Sequence, residues 1–121
     1  MRSISFVIPC YNEEKRLTKT FKALDEAVSS RGLALRGVEG LKLSEVIFVD
    51  DGSTDNTFER INNFTQYSNL PVTVVSYKKN RGKGYAIRQG MLESKSDYTL
   101  FFDADISTPL KEVEKFAPLI N

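Results

Sequence analysis

Two aspartates separated by one residue, Asp103 and Asp105, follow directly on the apolar run Leu100-Phe101-Phe102. Carboxylates so spaced, just beyond a buried strand, can turn to the same side. Hard divalent cations such as Mg²⁺ or Mn²⁺ take oxygen ligands of this kind and share them with phosphate oxygens. A cation so placed neutralises a departing diphosphate. An acidic turn in solvent reads the same way locally, and a lone pair with this spacing is common by chance.

Three further clusters carry chemistry. Asp50-Asp51-Gly52-Ser53 ends another apolar run, Val46–Val49. Either carboxylate could accept hydrogen bonds from a nucleobase N–H, while Ser53, Thr54 or Asp55 caps a following helix. Asn80-Arg81-Gly82-Lys83-Gly84 puts two cations and two glycines at a helix start, where backbone N–H groups and the helix dipole favour an anion. Lys83 or Arg81 could hold a phosphate there, although the GxxxxGK[ST] pattern of a P-loop is absent. Pro9-Cys10-Tyr11-Asn12-Glu13-Glu14 follows Ile4–Ile8. Tyr11 could stack on a base and Glu13 could accept from a ribose or base donor; equally, Glu13 and Glu14 suit a helix N-terminus. Cys10 reads as a small packing residue, because only a lysine or a dipole is at hand to activate it.

The elements that must position these clusters alternate. Ile4–Ile8, Val46–Val49, Val72–Val75 and Tyr98–Phe102 are short, nearly continuous and rich in β-branched and aromatic residues, as strands of a parallel sheet are. Helical period lies between them: Leu17, Phe21, Leu24 and Val28, then Phe58, Ile61 and Phe64, then Ala86, Ile87 and Met91 within a helix from Gly82 to Ser94. Pro109 would open a fourth helix carrying Leu110, Val113, Ala117 and Ile120. Residues 32–44 show no firm period and read as a loop. The expected fold is α/β, a Rossmann-like and mostly parallel sheet with flanking helices over residues 1–121. In such sheets ligands bind beyond the carboxyl ends of the strands, so all four clusters should meet on one edge.

Composition removes several classes. The chain has 121 residues and no histidine, which excludes Ser-His and Cys-His nucleophile mechanisms and the usual zinc sites. Its net charge of +1 gives no electrostatic signal for nucleic acid. A single cysteine permits no internal disulfide and suits a reducing compartment. No apolar run reaches the roughly 20 residues of a spanning helix. These point to the cytoplasm or the cytoplasmic face of a membrane.

In order, VIPCYNEE, VDDGSTDNT, KKNRGKGYAIRQGM and FFDADIST resemble the family 2 glycosyltransferases, across nearly the whole chain. NRGKG and DADIST-Pro look most like the polyprenyl-phosphate and dolichyl-phosphate sugar synthases of that family. The resemblance implies a GT-A fold, a nucleotide-sugar donor such as UDP-glucose or GDP-mannose, a lipid-phosphate acceptor, Mg²⁺ or Mn²⁺, and inversion at the anomeric carbon. By position it sets Pro9, Tyr11, Glu13 and Asp51, beside Asp50, around the nucleoside and Lys83 near the diphosphate or sugar. Asp103 and Asp105 become the metal pair, Asp105 the firmer ligand, with Ser107 where some relatives have a glutamine. Relatives continue well past this pair with strands that form the acceptor pocket. The chain is therefore expected to carry the donor-binding part, with a catalytic base elsewhere and self-association favoured at the uncovered edge. Readings as a non-catalytic nucleotide-sugar-binding fragment or a haloacid-dehalogenase-like phosphatase stay open. So do a phosphoreceiver domain and a nucleotidyltransferase, although the first strand ends in neither an acidic pair nor a glycine-rich loop.

Overall fold

The structure is a computed structural model that describes residues 2–28, 33–36, 38–104, 113 and 115. Among the described residues four strands and three helices alternate: β1 (Arg2–Cys10), α1 (Leu17–Ala27), β2 (Leu41–Asp51), α2 (Thr57–Tyr67), β3 (Val72–Tyr77), α3 (Lys83–Glu93) and β4 (Tyr98–Phe101). The sheet order is β3-β2-β1-β4, and every pairing is parallel. The chain thus steps outward from β1 to β3 and returns past β1 to place β4 on its other side. Right-handed crossovers then put α1 and α2 on one face and α3 on the other.

Packing shows this division. Ile4, Phe6 and Ile8 of β1 and Val46 and Phe48 of β2 join Leu17, Leu24, Ile61 and Phe64 of α1 and α2 in the larger core. Phe21 stacks on Phe64 with centroids 4.2 Å apart and meets Phe48 edge-on at 5.9 Å. On the opposite face Val7, Ile47 and Val49 meet Ala86 of α3. This second contact is close. A Cβ built on Gly90 would stand 2.3 Å from Val7 Cγ1 and 3.1 Å from Val49 Cγ2. The helix therefore lies on the sheet through Ala86 and Gly90, one turn apart, and both are buried. Met91, expected to face inward, is exposed, because a helix seated this closely has no room there for a long side chain. Phe58 is exposed as well, while Ile61 and Phe64 fill the core from α2.

The expected loop over 32–44 is partly a strand. β2 begins at Leu41, and Leu33–Arg36 runs beside it through an antiparallel bridge from Ala34 to Lys42. The reason is a bulge. Ile4 pairs with Leu43 but Ser5 pairs with Glu45, so Ser44 is an extra residue. It reverses the alternation: Leu41 and Leu43 face the larger core before it, Val46 and Phe48 after it. A period-2 pattern cannot be read through such a break. Val113 is buried in the larger core, as the expected fourth-helix stripe requires; Pro109, Leu110, Ala117 and Ile120 lie outside the described residues. Among the described residues no helix is long and apolar enough to cross a membrane.

Candidate functional site

All four strands point their carboxyl ends the same way, so the polar clusters gather on one edge. A cavity of about 450 Å³ opens there, lined by Pro9, Cys10, Tyr11, Glu13, Arg16, Asp51, Asn80, Gly82, Lys83, Ala86, Asp103 and Ala104. It lies where β1 separates β2 from β4, the point at which the strand order reverses.

The first turn is held by the second. Asn12 takes a left-handed φ of 52°, which asparagine tolerates, and its backbone N–H donates to Ser53 Oγ at 2.9 Å. Its side-chain oxygen accepts from the Thr54 N–H at 2.8 Å. The Glu13 N–H donates to Thr57 Oγ1 at 2.8 Å, and that hydroxyl donates onward to Asp55 Oδ1 at 2.5 Å. Asp55 also accepts from the Thr57 N–H at 2.9 Å. Burial is the largest single influence on the Asp55 carboxyl and raises it, but the Thr57 hydroxyl and the backbone donors together outweigh it and hold the group below the usual aspartate range. The polar residues at the start of α2 thus hold the first turn. Ser53 does not cap the helix; it receives the first turn. Arg60 adds a brace from α2, donating to the Glu14 carbonyl and, at 2.7 Å, to Thr18 Oγ1. Tyr11 and Glu13 sit on a turn with little freedom to move.

Asp103 is fixed by its neighbours. The Phe102 N–H continues the ladder to the Val7 carbonyl at 3.0 Å, and its ring meets Phe6 edge-on at 4.9 Å. The Ala104 carbonyl accepts from the buried Thr20 hydroxyl of α1. Phe102 and Ala104 are both buried, which leaves the Asp103 side chain half exposed at the cavity mouth. There it forms an ion pair with Lys83, the first residue of α3. The cation expected near the diphosphate or sugar and a carboxylate of the expected metal pair are therefore adjacent. An open carboxylate on an anchored strand end is a hard oxygen donor, and it fits a cation that takes one or two protein carboxylates and completes its shell with phosphate and water. Asp105 lies outside the described residues.

The two aspartates ending β2 have different surroundings. Asp50 is buried, accepts from the Ser53 N–H at 3.2 Å and does not line the cavity. By alternation it belongs with Val46 and Phe48, on the α1 and α2 face. Asp51 lies on the α3 side, lines the cavity and is 3% exposed. Its Oδ1 accepts from the Tyr77 hydroxyl at 2.6 Å and the Arg81 N–H at 3.0 Å; its Oδ2 accepts from Asn80 Nδ2 at 2.8 Å and the Gly82 N–H at 2.9 Å. Burial, and then this hydrogen bond, push the Tyr77 phenol well above its ordinary range, so it stays a donor. Arg81 does not line the cavity: its guanidinium lies over the Tyr85 ring, 5.6 Å from the centroid. Cys10 is buried and burial raises its thiol strongly, as expected of a packing residue. Arg16, which the sequence reading passed over, lines the cavity and bridges to Glu13 at 3.4 Å. Its spacing of three from Glu13 was the available signal.

Residues 5–121 match the profile of glycosyl transferase family 2. The chain belongs to that family. It is 40% identical over 121 residues to the human dolichyl-phosphate beta-glucosyltransferase, covering 99% of this chain and 36% of that one. Among solved structures, a mannosyltransferase from Pyrobaculum calidifontis in complex with GDP-Man and Mn²⁺ superposes with a TM-score of 0.74 at 24% identity, over 92% of this chain and 30% of that one. The glucosyl-3-phosphoglycerate synthase of Mycobacterium tuberculosis, in complex with Mn²⁺ and UDP, gives a TM-score of 0.72 at 26% identity, over 99% of this chain and 40% of that one. The family 2 chain has the GT-A fold of these neighbours and spans about a third of the length of the curated relatives it matches. Family membership sets aside the phosphatase, phosphoreceiver and nucleotidyltransferase readings.

Proposed function

We propose that this family 2 protein is an inverting glycosyltransferase that moves a hexosyl group from UDP-glucose or GDP-mannose to a polyprenyl or dolichyl phosphate. The observation that carries the reading is the meeting of Lys83 and Asp103 at the mouth of a cavity walled by Pro9, Tyr11 and Glu13. In this reading Tyr11, on the braced first turn, stacks on the base, and Glu13 accepts from the ribose. Lys83 leaves Asp103 to pair with the diphosphate, aided by the positive end of α3. Asp103 and Asp105 would hold Mg²⁺ or Mn²⁺, which would neutralise charge on the leaving diphosphate. The acceptor phosphate oxygen forms the new bond to the anomeric carbon as the bond to the diphosphate breaks; the nucleoside diphosphate departs with the electron pair. A phosphate monoester is already ionised near neutral pH, so its oxygen needs little help from a base. A polyprenyl acceptor sits in a bilayer, and the single reduced thiol suits the cytoplasmic face.

The test is calorimetric titration of the full-length protein with UDP-glucose and GDP-mannose, each with and without Mn²⁺, repeated on Asp103→Asn. The reading expects one donor to bind in a Mn²⁺-dependent way, with an affinity at least about tenfold weaker in the variant. Binding indifferent to both Mn²⁺ and the substitution would overturn it. Transfer of labelled sugar to dolichyl phosphate identifies the acceptor.

A further inference from the structure

The net charge of +1 conceals a segregation. From Arg60 to Leu92 the chain has no acidic residue, yet it carries Arg60, Lys78, Lys79, Arg81, Lys83 and Arg88. All but Arg60 lie on the segment that joins β3 to α3 or on α3 itself. Lys83 pairs with Asp103, and Arg81 lies over the Tyr85 ring. Lys78, Lys79 and Arg88 are exposed and have no charged partner among the described residues. The opposite face is mixed: α1 and α2 expose Lys19 and Lys22 beside Asp25, Glu26 and Glu59.

α3 is also inverted for a surface helix. Ala86 and Gly90 meet the sheet, so the large apolar residues point away from it. Tyr85 is 41% exposed, Met91 41% and Leu92 70%. Tyr85, Arg88 and Leu92, spaced as i, i+3 and i+7, share one stripe with Met91 beside it. Lys78, Lys79 and Arg81 rim its amino end. Large apolar side chains interspersed with cations suit the interface of an anionic bilayer. There the apolar groups enter the headgroup boundary, a tyrosine keeps its hydroxyl wet, and the cations meet lipid phosphates and carboxylates. A second copy docking through the same face would instead set these cations against one another.

We infer that the outer face of α3, together with Lys78 and Lys79, docks on an anionic lipid surface. The inference rests on the proposed lipid-phosphate acceptor for its purpose. Lys83 is the first residue of α3 and stands at the cavity mouth. With α3 lying on the bilayer, that mouth is held within about 10–12 Å, one helix diameter, of the headgroups. A lipid phosphate then reaches it by lateral diffusion, its chain still in the bilayer.

The test places an environment-sensitive fluorophore on Leu92→Cys of the full-length protein, as the one reactive thiol, and on Lys22→Cys as the control. Vesicles are phosphatidylcholine alone or phosphatidylcholine mixed with phosphatidylserine. On mixed vesicles the Leu92→Cys label should shift to the blue and be quenched by brominated acyl chains. On phosphatidylcholine alone it should not, and the Lys22→Cys label should respond to neither. The triple variant Lys78→Glu, Lys79→Glu, Arg88→Glu should need at least about a hundredfold more lipid, since each basic residue at such a surface contributes about fivefold. Its transfer of sugar to dolichyl phosphate should fall in mixed vesicles and be unchanged in detergent. A Leu92→Cys label that ignores phosphatidylserine, or responds equally on both lipids, overturns the inference. So does a Leu92→Cys thiol that reagents cannot reach without vesicles, because the rest of the chain then covers α3. A response that rises with protein concentration alone overturns it too, because a second copy then does. If the wild-type protein transfers no sugar to dolichyl phosphate in either medium, the acceptor reading fails and the labels alone decide the surface. Should the triple variant not fold, raised salt carries the same test, since screening should release the label from mixed vesicles.

Discussion

Gly52→Ala turns the close approach of two loops into a stability measurement. Two costs add. Alanine at φ +71° pays about 1–2 kcal/mol for the left-handed backbone. Its Cβ would then stand 2.4 Å from Asn80 N, 2.7 Å from Lys79 C and 3.0 Å from Asn80 Cα. These are backbone atoms, so no rotamer change relieves the contact, and the segment must retreat by about 1 Å to reach ordinary van der Waals separation. The Arg81 and Gly82 N–H groups now lie 3.0 and 2.9 Å from Asp51. A retreat of that size takes both beyond hydrogen-bond range. Bonds to a charged acceptor contribute about 1.5–3 kcal/mol each, so losing even one brings the total to about 2.5–5 kcal/mol. That is a large share of the roughly 5–15 kcal/mol by which domains are stable. Urea unfolding of the full-length protein measures it as a fall in midpoint at constant slope. Gly84→Ala is the control: a Cβ there meets nothing within 4 Å, and the helix should gain a few tenths to about 1 kcal/mol. A Gly52→Ala protein within about 1 kcal/mol of wild type would refute the argument, because the backbone strain alone predicts that much.

Gly90→Ala should destabilise by about 1–3 kcal/mol through overpacking, and Val7→Ala in the same chain should recover part of it, a coupling that denaturant unfolding of the double variant checks. Acid should act through Asp97, which accepts from the Ser3 N–H at 2.9 Å and from the Ser3 hydroxyl. The Ser3 backbone bond first, then its hydroxyl and the Arg2 charge, hold this carboxyl below its ordinary range. Its contribution is therefore complete above the unfolded value of about 3.9 and is lost as pH falls through the lower folded value. Melting temperatures followed down through pH 4 should show a fall that is shallower in Asp97→Asn; equal slopes would assign the acid sensitivity elsewhere.

The edge on which chemistry collects was legible because it follows from one inference, that four apolar runs are parallel strands. Once they are, Tyr11, Asp51, Lys83 and Asp103 have to converge. The division between Asp50 and Asp51 was not legible. Adjacent residues on a strand face opposite ways, but which one faces the cavity depends on register, and Ser44 resets the register of β2. The use of Ser53, Thr54 and Thr57 to hold the first turn was hidden for a related reason. A cap motif announces its local partner, whereas the N–H groups of Asn12 and Glu13 come from some forty residues away. Met91 and Phe58 misled because a hydrophobic stripe assumes that large residues mark the buried face. At α3 the contact is made by an alanine and a glycine.

The strand order has a bearing on how the chain reaches this state. Of the four described strands β1 is made before the other three and lies between two of them, with β2 on one side and β4 on the other. Its second neighbour begins only at Tyr98. While the nascent chain is being synthesised, at about 5–20 residues per second, one full side of β1 has no partner for several seconds. Its sequence there, Ile-Ser-Phe-Val-Ile, carries no charge and no proline. Such an unpaired apolar edge is open to pairing with another chain. The parallel order that brings four polar strand ends together therefore also creates a window of aggregation risk, closed only when the residues just before Asp103 arrive.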